Sequence, residues 1–269
     1  MAEAVEAPFD RPDAGFNSLE GWTWVGCYGG YYLQANLLAE FEHGFFTRQW
    51  QGRGPEVLAG YVSAGVSVHR PKQIHSALVL PASQASAEPW PEADGLVSDG
   101  GGQSLWVCGA DCTPVLLADP VSGRVAACHA GWRGVAGRIL MAAIAQLEAA
   151  GSRRSDLLVA LGPAVSGANY QVEASVTRQL AASLESEGLS EAQSLAALHA
   201  CGAVGPDPEP GRDRLDIRAA TRLQLEKAGV LADRIAVCPL CTVEEELLFH
   251  SWRRDQVKAV QWSGIVAQA

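Results

Sequence analysis

Short runs of apolar and β-branched residues alternate along the chain with segments whose apolar residues recur at helical spacing. Residues 22–34 (WTWVGCYGGYYLQ) predict two strands on either side of a Gly-Gly turn. Residues 134–151 have helical apolar spacing and predict a helix that ends at Gly151. Because strands and helices are interleaved in this way, we predict an α/β fold, a single-domain sandwich.

The same pattern continues through the rest of the chain. It predicts strands over residues 40–48, 74–80, 157–165 and 235–242, and helices over residues 54–66, 172–186 and 215–230. The central residues 104–120 predict one or two strands around a bend at Gly109, and residues 124–134 predict a strand that enters a Gly-rich loop. Residues 194–213 contain several Gly and Pro and are predicted to be irregular, and the form of the chain after residue 242 is left open.

Composition narrows the class of protein. Apolar residues make up 48% and charged residues 19% of the 269-residue chain, which is typical of a globular protein. No apolar run approaches the roughly 20 residues needed to span a bilayer, and the acidic N-terminus does not resemble a signal peptide. We therefore predict a cytoplasmic protein with no membrane partner, in which the seven cysteines are thiols or metal ligands and do not form disulfides.

The net charge limits the partners further. With 30 acidic and 20 basic residues the formal charge is −10, which argues against a nucleic-acid-binding surface. We expect a small-molecule substrate, and a substrate that carries phosphate would require a local basic pocket.

Three short motifs carry the candidate chemistry: QIHSALV around His75, GADCTPVL around Cys112 and CHAGWRG around His129. Each is predicted to lie at the end of a strand. Two imidazoles and one thiolate suit zinc, and three protein ligands leave a fourth position open, as in catalytic zinc sites. Strand alternation puts Cys128 on the face opposite His129, but it does not distinguish Cys112 from Cys108 as the ligand.

These motifs are similar to those of the polyphenol oxidase/purine nucleoside phosphorylase family, also known as the multicopper polyphenol oxidase or peptidoglycan editing factor family. The similarity rests on QIH, ADC-x-P and HAGWRG in that order, and it extends from HGFFTR through LGPAVSGANYQVE and LDIRAATRLQL to FHSWRRD. After SWRRD the family usually continues with a Gly-Arg pair, which this chain lacks.

The first fifteen residues predict a flexible tail. For residues 16–269 the resemblance implies a single zinc-binding enzyme domain. It implies zinc bound by His75, Cys112 and His129, phosphorolysis of adenosine, inosine, guanosine and methylthioadenosine, and deamination of adenosine. Three alternatives remain: copper-dependent oxidation of polyphenols, hydrolysis of a peptidoglycan precursor, and a metal-stabilised binding module. A blue-copper centre usually has a Met-type axial ligand, and the chain has only two methionines.

Further site residues follow from chemistry near these motifs. We assign His75, Cys112, His129 and Arg133 to catalysis, and Arg48, Trp132 and Glu173 to substrate binding. Arg133 and Arg48 could hold phosphate through paired N–H donors. Asp111, next to the cysteine, is expected either to orient a histidine ligand or to cap a turn.

Overall fold

A computed structural model of the chain describes residues 19–27, 29–185 and 188–268. The predicted tail over residues 1–15 lies outside the described residues. Fifteen strands were found in the described part of the chain: β1 Trp22–Cys27, β2 Gly30–Ala35, β3 His43–Phe46, β4 Ser67–His69, β5 Val79–Pro81, β6 Gly95–Val97, β7 Gln103–Gly109, β8 Thr113–Ala118, β9 Val125–Ala130, β10 Leu158–Leu161, β11 Gln171–Glu173, β12 Val204–Pro206, β13 Arg212–Leu215, β14 Ile235–Val237 and β15 Gln261–Val266.

Seven α-helices connect these strands in the same described ranges. They are α1 Pro55–Val62, α2 Trp132–Ala136, α3 Ile139–Ala149, α4 Ala174–Glu185, α5 Glu191–Ala200, α6 Ile217–Lys227 and α7 Trp252–Asp255. Within the described ranges, no helix has the length and apolar character needed to cross a membrane.

The strands form two six-stranded sheets and one three-stranded sheet. The first sheet has the order β1-β2-β3-β15-β7-β4, the second has the order β14-β10-β8-β9-β6-β5, and the small sheet has the order β11-β13-β12. The predicted α/β sandwich is confirmed, with the two large sheets forming its centre.

Side-chain alternation along β9 shows how the layers pack. Val125 and Ala127 belong to the apolar core that also contains residues of the first sheet, such as Leu105 of β7. Ala126 and Cys128 belong to a second core, which includes residues of α3, α4 and α6. The second sheet is therefore covered on one face by the first sheet and on the other by helices, and Cys128 is a core residue as the alternation predicts.

Several predicted elements differ from the structure. Residues 194–213 are not irregular, because they contain the end of α5, all of β12 and the start of β13. The strand predicted over residues 74–80 begins only at Val79, so His75 does not lie at the end of a strand; it lies in a turn with a φ of 59°. The Gly-rich loop after β9 is short, because α2 begins at Trp132.

Besides the strands in the segment 194–213, strands β4, β6 and β15 were not predicted. Strand β15 lies inside the first sheet, where it pairs antiparallel with both β3 and β7. Its neighbours lie far from it in the sequence, so its local pattern alone gave no indication of this central position.

Candidate functional site

Strand pairing in the second sheet brings the three metal-ligand candidates together. Pro114 of β8 is opposite His129 of β9, so the bend that carries Cys112 lies beside the end of β9. Strand β6 pairs with the other edge of β9, and β5 runs parallel to β6. The turns that precede β5 and β6 therefore reach the same place, and His75 lies in the first of them.

The potential ligand atoms of His75, Cys112 and His129 all lie within 4.8 Å of one another. The two imidazole rings are nearly perpendicular, with an angle of 84° and a centroid separation of 4.9 Å. Zinc–nitrogen bonds of about 2.0–2.1 Å and zinc–sulfur bonds of about 2.3 Å separate tetrahedral ligand atoms by about 3.5 Å. A cluster of this size and chemistry fits a zinc ion.

Gly131 allows the backbone after β9 to approach this cluster closely. A Cβ atom at this position would lie 2.9 Å from Cys112 Sγ and 3.6 Å from His75 Cδ2. A side chain at residue 131 would therefore crowd the thiol of Cys112. This crowding explains the glycine that follows His129 and Ala130 in the HAGWRG motif.

Asp94 directly precedes β6 and contacts the cluster from its buried side. Its carboxylate is fully buried, and its Oδ1 lies 2.9 Å from Nδ1 of His129. Burial by itself would raise the pKa of Asp94, but hydrogen bonds from His129 and Ser76 outweigh burial and lower that pKa to about 2. The carboxyl group is therefore ionised at neutral pH.

The thiol and imidazole of the cluster shift each other's proton affinity. Burial favours the neutral thiol of Cys112, but hydrogen bonds from His129 and His75, with their charge, lower its pKa to about 6. Burial also opposes the imidazolium form of His129, but hydrogen bonds to Asp94 and Cys112 raise its pKa to about 9. In the absence of metal the site therefore favours a thiolate on Cys112 beside an imidazolium on His129. A bound metal would displace one proton from that imidazolium.

The three side chains line a cavity of about 670 Å³. Basic and aromatic side chains line the same cavity: Arg133, Arg253, Lys258, Trp132, Tyr170 and Trp252. The Arg133 guanidinium carbon lies 4.4 Å from the centroid of the Trp132 ring, and that of Arg253 lies 5.0 Å from the Tyr170 ring. The cavity can therefore accept an anion and a planar ring together.

Asp111 anchors the C-terminal part of the cavity to the bend that carries Cys112. Its Oδ1 accepts a hydrogen bond of 2.7 Å from Thr242 Oγ1, and its Oδ2 accepts one of 2.6 Å from the backbone N–H of Arg253. Asp111 therefore neither orients a histidine ligand nor only caps a turn. It holds the start of α7, and with it the Arg253 side chain, next to the cluster.

The structure brings five of the seven predicted site residues into the cavity: His75, Cys112, His129, Arg133 and Trp132. Arg48 and Glu173 do not line it. Arg48 donates a hydrogen bond of 2.8 Å to the carbonyl of Glu246, and the exposed Glu173 forms an ion pair of 3.3 Å with Arg212.

Four residues of the site were not predicted from the sequence: Asp94, Tyr170, Arg253 and Lys258. Asp94 could have been noticed as a carboxylate at the start of an apolar run, in the segment EADGLVS, but its partner His129 lies on another strand. Arg253 and Lys258 lie in the C-terminal segment whose form was left open.

A sandwich with a His-Cys-His group in a basic and aromatic cavity describes a metalloenzyme-like protein. A family profile described as "Multi-copper polyphenol oxidoreductase laccase" matches residues 56–268. The chain belongs to this family.

Relatives and solved structures agree with that assignment. The chain is 41% identical over 256 residues to purine nucleoside phosphorylase slr1573 of Synechocystis sp., an alignment that covers 91% of this chain and 97% of that protein. The crystal structure of YlmD from Geobacillus stearothermophilus superposes with a TM-score of 0.75 at 27% identity, covering 91% of this chain and 99% of that one. The hypothetical protein YfiH of Bacillus licheniformis gives a TM-score of 0.73 at 25% identity, covering 88% and 96%.

Proposed function

We propose that this protein is a zinc-dependent purine nucleoside phosphorylase that also deaminates adenosine. The observation that carries the proposal is the shared cavity, in which a His-Cys-His group, three basic side chains and three aromatic rings meet. The name of the Synechocystis relative, purine nucleoside phosphorylase, supports the same reaction. The proposed substrates are adenosine, inosine, guanosine and methylthioadenosine.

His75, Cys112 and His129 would hold the metal. In the described ranges the cluster contains these three residues and no fourth His, Cys, Asp or Glu, which is typical of a catalytic site with an open position. When bound, zinc supplies Lewis acidity toward an oxygen of phosphate, of ribose or of an attacking water.

Arg133, Arg253 and Lys258 would bind phosphate. The protein as a whole carries a formal charge of −10, so an anion needs local compensation, and these three cations line one cavity. Arginine binds phosphate through two parallel N–H donors, which also fixes the direction of the attacking oxygen. In phosphorolysis a phosphate oxygen forms a bond to C1′ of the ribose while the bond from C1′ to N9 of the purine breaks. The base leaves with a proton, and ribose 1-phosphate remains.

The aromatic residues would hold the purine. Trp132 and Tyr170 are partly buried and Trp252 is exposed, so together they offer ring faces from the inner to the outer part of the cavity. Stacking on aromatic faces contributes about 1–3 kcal/mol per base and tolerates different purines. This tolerance fits a substrate range that includes adenosine, inosine and guanosine.

Adenosine deamination would use the same cavity with water in place of phosphate. Water adds to C6 of the adenine ring, ammonia leaves, and inosine is the product. The two reactions then compete for one site, so phosphate should reduce the rate of deamination.

The test is metal content together with turnover, on protein purified without added metal. We expect about one zinc per chain, and release of free base from inosine and adenosine that requires phosphate. Removal of zinc with a chelator should abolish release, and zinc should restore it. Zinc binding without any phosphate-dependent base release would overturn the proposed reaction.

The family description favours one second candidate, a copper-dependent oxidase of phenolic compounds. The donor set contains two imidazoles and a thiolate, which copper also accepts. However, Met141 is buried in the core beside the helices and does not line the cavity, so it is not an axial ligand. Several coppers per chain with oxygen-dependent phenol turnover would establish the oxidase. Hydrolysis of a peptidoglycan precursor without phosphate would instead establish the alternative of a precursor hydrolase.

A further inference from the structure

We propose that Asp94 is the positioning residue of the metal centre, because one buried carboxylate fixes both histidine ligands at once. The inference rests on the proposed metal site and extends it to a residue outside the ligand set. Asp94 has no exposed surface, and its two oxygens accept five hydrogen bonds from the chain around the cluster.

The Oδ1 atom of Asp94 connects the two ligands directly. It lies 2.9 Å from Nδ1 of His129 and accepts a hydrogen bond of 2.9 Å from the backbone N–H of His75. Oδ1 and Oδ2 each accept hydrogen bonds from backbone N–H groups, so both oxygens act as acceptors here. Nδ1 of His129 is then the donor toward Oδ1 and carries the proton. The lone pair of Nε2 is then the one available to a metal, and the ring orientation is fixed.

The Oδ2 atom of Asp94 shapes the turn that carries His75. It accepts hydrogen bonds of 3.2 Å from the N–H of Ile74, 2.6 Å from the N–H of Ser76 and 2.8 Å from the Ser76 hydroxyl. His75 has a φ of 59°, a left-handed conformation that is unfavourable for a residue with a side chain. The carboxylate compensates this cost, because it accepts hydrogen bonds from three consecutive backbone N–H groups of the turn.

These contacts make the substitution Asp94→Asn informative. Asparagine has nearly the same size, but it replaces one acceptor oxygen with an NH2 donor. If the NH2 group faces His129, the ring must protonate Nε2 instead and loses its metal-binding lone pair. If the NH2 group faces Ile74 and Ser76, it opposes two N–H donors and distorts the His75 turn. Either orientation removes one histidine from the metal.

The matched control is Asp119→Asn. Asp119 is also buried, and it also caps a turn, accepting hydrogen bonds of 2.9 Å from the N–H of Val121 and 2.6 Å from the hydroxyl of Ser122. It lies at the other end of β8 from Cys112 and does not line the cavity. The control therefore reports the cost of altering a buried turn-capping carboxylate without touching a metal ligand.

The experiment titrates cobalt(II) into the metal-free full-length protein and its variants and follows the thiolate and ligand-field absorption bands. We expect Asp94→Asn to weaken cobalt affinity about 10–100-fold and to change the spectrum, because the ligand set is altered. Asp119→Asn should keep the wild-type spectrum and affinity within about twofold. Equal affinities for wild type and Asp94→Asn, or equal losses in both variants, would overturn the proposal.

A measurement on the wild type covers the case in which Asp94→Asn does not fold. In the zinc-loaded protein, ¹⁵N NMR of the His129 ring should show a protonated Nδ1 and a metal-bound Nε2, and a bare or metal-bound Nδ1 would overturn the inference. Neither measurement uses nucleoside turnover. A protein that binds cobalt in an Asp94-dependent manner but does not release base from nucleosides would therefore refute the proposed reaction alone.

Discussion

Replacing Gly131 with alanine should separate metal binding from folding. The added methyl group would lie 2.9 Å from Cys112 Sγ, whereas nonbonded heavy atoms ordinarily meet at about 3.5–4.0 Å. The sulfur must therefore move by about 0.6 Å or more. Metal–ligand distances tolerate only about 0.2 Å, so the thiolate cannot make room for the methyl and keep its bond to the ion.

The backbone itself tolerates this substitution. Gly131 has a φ of −72° and a ψ of 167°, which alanine adopts without strain. We expect a folded protein whose zinc affinity falls about 10–100-fold, measured by competition with a chromophoric chelator. Phosphorolysis at limiting zinc should fall in proportion.

Gly60→Ala is the matched control for this experiment. Gly60 lies in α1, and a Cβ atom there would meet nothing within 4 Å. We expect unchanged zinc affinity and a stability gain of up to about 1 kcal/mol, because alanine favours a helix. If Gly131→Ala binds zinc as tightly as Gly60→Ala, the thiol of Cys112 is not a zinc ligand held next to residue 131.

Three further predictions concern the thiols, the pH dependence and the cations. Cys112→Ala should lose the metal and all turnover. Cys128 lies in the core that contains the helices, so Cys128→Ala should keep metal and turnover and lose about 1 kcal/mol of stability in urea unfolding. Equal metal loss in the two variants would contradict the strand alternation. Burial lowers the pKa of His43 from 6.5 to about 4. As the pH falls, the unfolded chain therefore takes up the proton before the folded protein does. The free energy of unfolding should fall by up to about 3 kcal/mol between pH 6.5 and pH 4. A His43→Gln variant, compared by urea unfolding at pH 7 and pH 4.5, should lack this component, and an unchanged pH dependence would refute it. Arg133→Gln should raise the KM for phosphate about tenfold in a coupled base-release assay. Arg153 pairs with Asp156 on the surface, so Arg153→Gln should leave this KM unchanged. Equal KM values for the two variants would exclude Arg133 from phosphate binding.

Local patterns predicted most of the helices, and they predicted the strands beside Cys112 and His129. Helices α3 and α6 were predicted because their apolar residues follow one face, and the turn between β1 and β2 was predicted from its two glycines. The segment 194–213 was assigned wrongly because its Gly and Pro residues indicate turns, although three short regular elements fit between them.

The cavity was predicted as far as its residues lie in compact motifs. His75, Cys112 and His129 could be grouped because each motif is distinctive. Arg48 and Glu173 were chosen for their charge within the HGFFTR and NYQVE segments, and they lie elsewhere. Asp94 and Arg253 enter the site through the pairing of β6 with β9 and through the anchor at Asp111. Such contacts between distant segments leave no periodic signal in the sequence.

The central position of β15 has a consequence for how the protein is made. Strands β1 to β3 leave the ribosome long before β15, so the free edge of β3 stays unpaired until residues 261–266 arrive between β3 and β7. Unpaired strand edges attract other chains, so the nascent protein carries an aggregation hazard until β15 has been made. The segment just before β15 also supplies Arg253 and Lys258 to the cavity. Translation must therefore proceed through residue 266 before the chain has either a continuous first sheet or a complete cavity, and chaperones have that whole interval in which to act.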